Sequence, residues 1–364
     1  MLCVAPVEHE TQVPLAPKTS LGVGGSAERF ICATSEGAAC AAVEWADDAK
    51  LPVHVLGGGS NVVVADGGVP GVVVEIAMTG VQWADQGRHM LATVAAGEHW
   101  DTFVERAVEK NLAGVECLSG IPGRVGATPI QNVGAYGQDV SETIENVRCF
   151  DRQQREIVDL SRRDCCFSYR NSRFKSREPG RYLVLAVSFR LERGGDPALR
   201  YAELGRALSA RGIRTPDLQQ VRDLVIELRR GKGMLLDAQD PLSRSCGSFF
   251  VNPIVERAQA DAVAEAAGTG SNMPRFEEPD GRIKLSAGWL IEQAGFPRGT
   301  AAHGALVSPK HALALIATDG AKATDIVALA RQVRDAVLSR FSVRLVAEPV
   351  CWGFASLQDG LPPG

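Results

Sequence analysis

Residues 120–138, GIPGRVGATPIQNVGAYGQ, constrain the fold more than any other stretch of the chain. Five glycines and two prolines in nineteen residues leave no run that suits a helix or a regular strand. Glycine lets a main chain approach a ligand closely or take positive φ. Long structureless loops inside compact domains are usually functional. The stretch, punctuated by Gln131, Asn132 and Tyr136, is therefore expected to lay its backbone against a large planar or phosphorylated molecule.

A second glycine-rich loop lies upstream, in VHVLGGGSNVVVADGG at 53–68. Gly57, Gly58 and Gly59 follow a β-branched run, and successive glycine amides can form a concave nest for phosphate oxygens. Ser60 and Asn61 add side-chain donors. A Rossmann site needs a helix to start at the glycines. Val62, Val63 and Val64 follow instead, so strand–loop–strand excludes that reading. GVGG at 22–25 fails for the same reason.

Periodicity outlines the rest. Strands are expected at 53–56, 62–64, 72–76, 91–95, 147–150 and 182–191, with a helix at 36–49. Trp100, Phe103, Val104, Ala107 and Val108 share one face of a second helix, and Asn111 stands at its C-terminal cap. Further helices are expected at 219–230 (Val221, Leu224, Val225 and Leu228 inward, stopping at Gly231), 255–267, 286–294 and 324–341. Ser286 caps the third of these and Thr324 the last. A strand at 343–352 returns to an earlier sheet.

At 364 residues the chain exceeds what one core usually supports, so two or three domains are expected. A net charge of −4 argues against nucleic acid or an anionic membrane as partner. Basic residues at 162–181 and 229–232 would suit a small anion. Nine cysteines without a CxxC pair read as reduced thiols in a cytoplasmic protein. No signal peptide, membrane span or metal-ligand pattern is expected.

The pair GGGSN and, sixty residues on, IPGxxGxxPxQNxGAYG resembles the flavin-binding half of the UDP-N-acetylenolpyruvoylglucosamine reductases, over about residues 15–353. The resemblance implies an α+β fold of three domains. Two would form a vanillyl-alcohol-oxidase-type (PCMH-like) FAD-binding half, at 1–78 plus 342–364 and at 79–232; an α+β substrate-binding domain would occupy 233–341. It implies non-covalent FAD held by Gly57, Gly58, Gly59, Ser60, Asn61, Gly120, Ile121, Pro122, Gly123, Gly126, Ala127, Gln131, Asn132, Gly134, Ala135 and Tyr136. NADPH would be the reductant, a UDP-sugar enolpyruvate the substrate, and the protein a monomer.

FSYRNSRFK at 167–175, CGSFFVNP at 246–253 and RLVAEPV at 344–350 are similar to the family's arginine, serine and glutamate motifs. They imply Arg170 and Glu348 as groups that stabilise charge developing on the substrate carboxylate, and Ser248 as proton donor. Tyr201, which marks the longer subtype with a substrate-covering loop, Lys232, Asn252, Lys284 and Gln293 would bind substrate. Cys246 reads as a small buried hydrophobe. Three departures stand out: Lys18-Thr19 where Asn-Thr is usual, Arg124 where a small residue is common, and a long 235–245 segment. Two rivals are a sugar or alcohol oxidase on the same flavin domain and a non-catalytic binding protein. The first is disfavoured by the lack of a histidine or cysteine in 119–139, the second by the intact proton donor.

Overall fold

The valine-rich runs flanking the first glycine loop are strands, Val53–Leu56, Val62–Val64 and Val69–Ile76, in a computed structural model that describes residues 7–268 and 273–354. Residues 1–6 and 355–364 of the expected 1–78 plus 342–364 subdomain lie outside the described residues, as do 269–272 of the 233–341 domain. The chain divides into two units. One comprises Met1–Val13, Ala27–Gly58 and Pro70–Gly231; the other comprises Pro14–Ser26, Gly59–Val69 and Lys232–Gly364.

Among the described residues the first unit holds two sheets of four or more strands and one short hairpin. In the smaller, strand order is Glu10–Pro14, Ser26–Ala33, Val69–Ile76, Val53–Leu56, and the last two run parallel with Val53 opposite Val72. Val72, Val73 and Val74 are wholly buried, as the continuous apolar run of a strand covered on both faces requires. The helix Glu36–Asp48 contributes Ala39, Ala42, Val43 and Ala46 to the same core, and Ser35 Oγ caps it by accepting from Ala38 N at 3.2 Å. Three alanines among these four let the helix axis lie close to its neighbours.

The larger sheet is antiparallel, in the order Glu156–Ser161, Ile144–Asp151, Tyr182–Arg193, His89–Ala95, Val81–Gln86. Trp100–Glu109 packs Trp100 and Phe103 against Phe189, with ring centroids 5.0–5.8 Å apart. Burying such rings contributes about 2–3 kcal/mol each. The Trp100 indole donates to Leu118 O at 2.9 Å, so its one polar atom is satisfied. Asn111 follows the helix at φ +54°, the left-handed position expected of it. A smaller cluster joins Cys117 and Tyr136 to the helices Ala202–Ala210 and Leu218–Gly231.

The second unit packs Arg257–Ala267, Ala287–Gln293 and Ala323–Phe341 with two three-stranded sheets. Val350–Trp352 pairs in parallel with Val62–Val64. Four expectations need correction. Val255 belongs to the strand Ile254–Val255, so the helix expected at 255–267 starts later. Regular pairing of the last segment is confined to 350–352, although burial alternates from 341 onward as in a strand. Thr324 does not cap the final helix; Asp66, 257 residues away from Ala323, accepts from Ala323 N at 2.7 Å and Thr324 N at 3.1 Å. Finally, 120–138 contains a helical turn, Thr128–Gln131, and a two-residue hairpin pairing Gln138 with Ala135. Pro129 near the start of that turn costs it no hydrogen bond. Among the described residues no helix is long and apolar enough to cross a membrane.

Candidate active site

The glycines of the two loops are explained first by backbone packing. A Cβ on Gly58 would lie 2.7 Å from Gly123 Cα, and one on Gly126 would lie 2.6 Å from Ala96 Cβ. Gly58 and the 120–127 segment thus press against each other within the first unit, a contact that a side chain at Gly58 would prevent. Among the described residues, the amides of Gly58, Gly123 and Arg124 donate to no main-chain carbonyl. Three uncommitted N–H donors drawn together fit a phosphate or diphosphate. A cavity of about 90 Å³ adjoins them, lined by apolar groups including Val55, Ile76, Ala96, Ile130 and Leu183, with Gly57, Arg124, Gly126 and Ala127. Cysteine and histidine are absent from that lining. Anion-binding amides beside an apolar slot are the donor set that FAD requires.

Arg124 turns its guanidinium to Gly97 O at 3.1 Å, so this departure braces the loop. The loop's entry is clamped at the Gly120 peptide. Its N–H donates to Asp101 Oδ1 at 2.5 Å and its carbonyl accepts from Arg229 Nε at 3.1 Å. Asp101 also binds Arg222 at 2.6 and 3.0 Å. Burial by itself would raise the Asp101 carboxyl, but Arg222 and the Gly120 amide outweigh it and hold that carboxyl below the usual range. Burial pushes the Tyr136 phenol up to about 12, so it stays protonated at neutral pH.

Arg170 occupies a tight turn at 168–171, closed by Ser168 N to Asn171 O at 3.0 Å and Asn171 N to Ser168 O at 3.1 Å. Its φ of +52° is unusual for a side chain of this size. The guanidinium reaches the glycine loop, donating to Gly134 O at 2.7 Å and Asn132 O at 3.5 Å. Asn132 and Tyr136 are also left-handed, at φ +44° and +49°, so backbone strain concentrates here. Of the basic stretch at 162–181, Arg173 and Arg181 are committed to Glu178 and Asp151. In these pairs they brace the sheet edge.

In the second unit, Phe249 N donates to Leu313 O at 2.7 Å, Glu348 N to Phe249 O at 2.9 Å and Val251 N to Val346 O at 3.0 Å. This antiparallel ladder places Phe249 opposite Glu348, with Ser248 one residue before Phe249; Ser248 and Glu348 are both half-buried. Asn61 Nδ2 donates to Glu348 O at 3.2 Å and Val350 N to Asn61 O at 3.0 Å, so the end of GGGSN fixes the glutamate's main chain. Gly59 lies where a Cβ would meet Lys18 O at 2.0 Å. Cys246 is buried, and burial pushes its thiol up, which keeps it unreactive.

Among the expected substrate residues, Tyr201 is 43% exposed and meets Tyr136 edge-on at 5.5 Å in the first unit. In the second, Asn252 Oδ1 accepts from Ala287 N at 2.9 Å and Lys284 pairs with Glu278 at 2.6 Å. Asn252 is therefore a helix cap whatever else it does. Gln293 ends the helix Ala287–Gln293, and Lys232 begins the second unit's last segment. Asp101 and Ser172 were missed from sequence, and Lys175 and Arg229 entered only as members of the basic stretches. Lys175 sits inside the arginine motif, which alone could have drawn attention to it. Among the described residues no group of His, Cys, Asp or Glu is arranged to hold a metal ion.

Comparison with known proteins agrees with this geometry. Residues 239–352 match the C-terminal domain of UDP-N-acetylenolpyruvoylglucosamine reductase, and residues 27–161 match the FAD binding domain. The chain is 48% identical, over 96% of its length, to the UDP-N-acetylenolpyruvoylglucosamine reductase of Streptomyces coelicolor, covering 92% of that protein. It is 47% identical to that of Thermobifida fusca, over 94% of this chain and 97% of the other. Among solved structures it is similar in fold to the UDP-N-acetylenolpyruvylglucosamine reductase of Thermus caldophilus, with a TM-score of 0.64 at 23% identity, over 95% and 99% of the two chains.

Proposed function

The chain belongs to the UDP-N-acetylenolpyruvoylglucosamine reductase family, and we infer that it reduces the enolpyruvyl group of UDP-N-acetylglucosamine enolpyruvate with NADPH, giving UDP-N-acetylmuramate for peptidoglycan. The observation that carries this reading is Arg170, held in a strained turn with its guanidinium on the glycine loop of an FAD-binding domain.

FAD, bound there without a covalent bond, would supply hydride chemistry, with NADPH as the reductant. The Gly58, Gly123 and Arg124 amides would hold its diphosphate, and the slot lined by Val55, Ile76 and Ala96 an apolar part. Arg170 binds the substrate carboxylate through a planar, permanently charged fork and stabilises the negative charge that gathers there as the double bond is reduced. Ser248 donates its hydroxyl proton to the adjoining carbon, and solvent restores it. A hydroxyl is a weak acid, but it suffices for a strongly basic carbon over a short path. Glu348 hydrogen-bonds the same carboxylate. Tyr201, Lys232, Asn252, Lys284 and Gln293 bind the UDP-sugar, and the other residues of the two glycine-rich loops named above for FAD complete the cofactor contacts. The protein acts as a cytoplasmic monomer.

The test is spectroscopic. Purified protein should be yellow, bleach with NADPH, and regain colour on adding UDP-N-acetylglucosamine enolpyruvate. Ser248→Ala should bleach normally and regain colour ~10²–10⁴-fold more slowly, the usual range for losing a proton donor. Recolouring at the parent rate would refute the role of Ser248; recolouring by air but not by substrate would refute the reaction.

A further inference from the structure

The turn that carries Arg170 is attached to the cofactor loop by several side chains from both segments. Asn132 Nδ2 donates to Ser168 O at 3.0 Å, while its Oδ1 accepts from Ser141 N at 3.2 Å. These partners determine the orientation of the amide, because one can only accept and the other only donate. Asn132 is 4% exposed and takes the left-handed backbone that asparagine tolerates better than most residues. Ser172 Oγ donates to Ile130 O at 2.7 Å. Lys175, in the wide turn Arg173–Arg177, sends its ammonium to Gln131 Oε1 and to the carbonyl of Arg170 itself, both at 3.3 Å. Wide turns of this kind often occur at functional sites, where they re-aim a side chain.

We propose that Asn132 and Lys175 are positioning residues for Arg170: they lock the 168–171 turn to residues 130–134, so that the guanidinium meets the substrate carboxylate without searching for it. The inference rests on the reading of Arg170 as the catalytic arginine. It moves the Asn132 side chain from the cofactor-binding set, where the motif placed it, to the support of the arginine. Rotamer freedom in the arginine would otherwise carry its charge an ångström or more from the site where negative charge develops.

The test uses the FAD-loaded protein and separates its two half-reactions by stopped flow. Asn132→Gly removes the amide while keeping a residue at ease with positive φ. Lys175→Met removes the ammonium but keeps the length; Lys175→Arg restores charge and reach. For Asn132→Gly and Lys175→Met we expect bleaching by NADPH within about threefold of the parent. Recolouring by UDP-N-acetylglucosamine enolpyruvate should slow ~10–100-fold, the scale set by ångström misplacements. Lys175→Arg should recover most of that loss. The FAD dissociation constant, read from released-flavin fluorescence, should stay within about threefold of the parent, because neither side chain grips the cofactor. Parent recolouring rates in both variants would overturn the proposal, as would an FAD affinity at least ~10-fold weaker in Asn132→Gly. Arg170→Lys, run in parallel, separates the two ideas. Normal recolouring there refutes the catalytic reading itself; loss there with parent rates in Asn132→Gly and Lys175→Met refutes positioning alone. Should Asn132→Gly not fold, the two Lys175 variants decide the matter.

Discussion

Replacing Asp101 by asparagine asks whether charge holds the entry of the 120–138 loop. The carboxylate accepts from Gly120 N at 2.5 Å and from Arg222 at 2.6 and 3.0 Å. Asparagine retains shape and one acceptor but leaves the Arg222 guanidinium, only 8% exposed at its side chain, without its principal counter-charge. Breaking a fully buried pair costs ~3–5 kcal/mol. Two features lower that figure here: the Asp101 side chain is 39% exposed, and Glu105 remains 3.4 Å from Arg222. We therefore expect about 1.5–2.5 kcal/mol. At about 2–4 °C per kcal/mol for a folding unit of some 200 residues, the melting temperature should fall by ~3–10 °C. Differential scanning calorimetry on FAD-loaded and FAD-stripped protein measures it. Because Gly120 opens the loop proposed to hold FAD, the drop should be larger in the loaded form, where weaker FAD binding adds to it. Glu105→Gln is the control, with a loss of at most about 0.5 kcal/mol for an exposed partner. A melting temperature for Asp101→Asn within 1 °C of the parent, ~0.3 kcal/mol on this scale, would refute the clamp.

Two further outcomes follow from the structure. Asp66→Ala removes the acceptor for Ala323 N and Thr324 N and should cost about 1 kcal/mol, as loss of a helix cap does; unchanged urea unfolding would show that Lys322 and Asp325 cap the helix unaided. The Arg181 hydrogen bonds, helped by the Gln153 and Gln154 amides, hold the buried Asp151 carboxyl below its usual range. A carboxyl lowered in the folded state contributes stability that is fully present above its unfolded value, about 4, and is lost as pH falls through the folded value. The melting gap between parent and Asp151→Asn should thus be widest at neutral pH and close in acid, and a gap that widened in acid would contradict the pairing.

Much of the candidate site could be read from linear motifs, because its chemistry rests on local backbone requirements. A loop that must touch another loop needs glycine at the contact, as at Gly58 and Gly126, and that need shows in sequence whatever lies opposite. Asn111 and Ser286 announce helix ends because a cap is a short-range bond. The arginine, serine and glutamate motifs were legible only through their likeness to a known family.

What escaped the sequence depends on partners brought together across long separations. Asp66 caps a helix that begins 257 residues later, displacing the local candidate Thr324, since geometry and not adjacency chooses the acceptor. Arg222 and Arg229 look like solvated charges on a helix, yet folding sets one on Asp101 and the other on Gly120 O. Lys175 and Asn132 join two segments some forty residues apart, and only tertiary structure could show which groups each side chain holds. Phe249 and Glu348 pair through a ladder spanning a hundred residues of chain, which brings the serine and glutamate motifs onto neighbouring segments. Composition and periodicity thus determined which segments become helix, strand or ligand loop, because those choices are made within a few residues. Which charges meet was decided by packing, because a hydrogen bond needs two groups at one place in space and the chain's order does not record it.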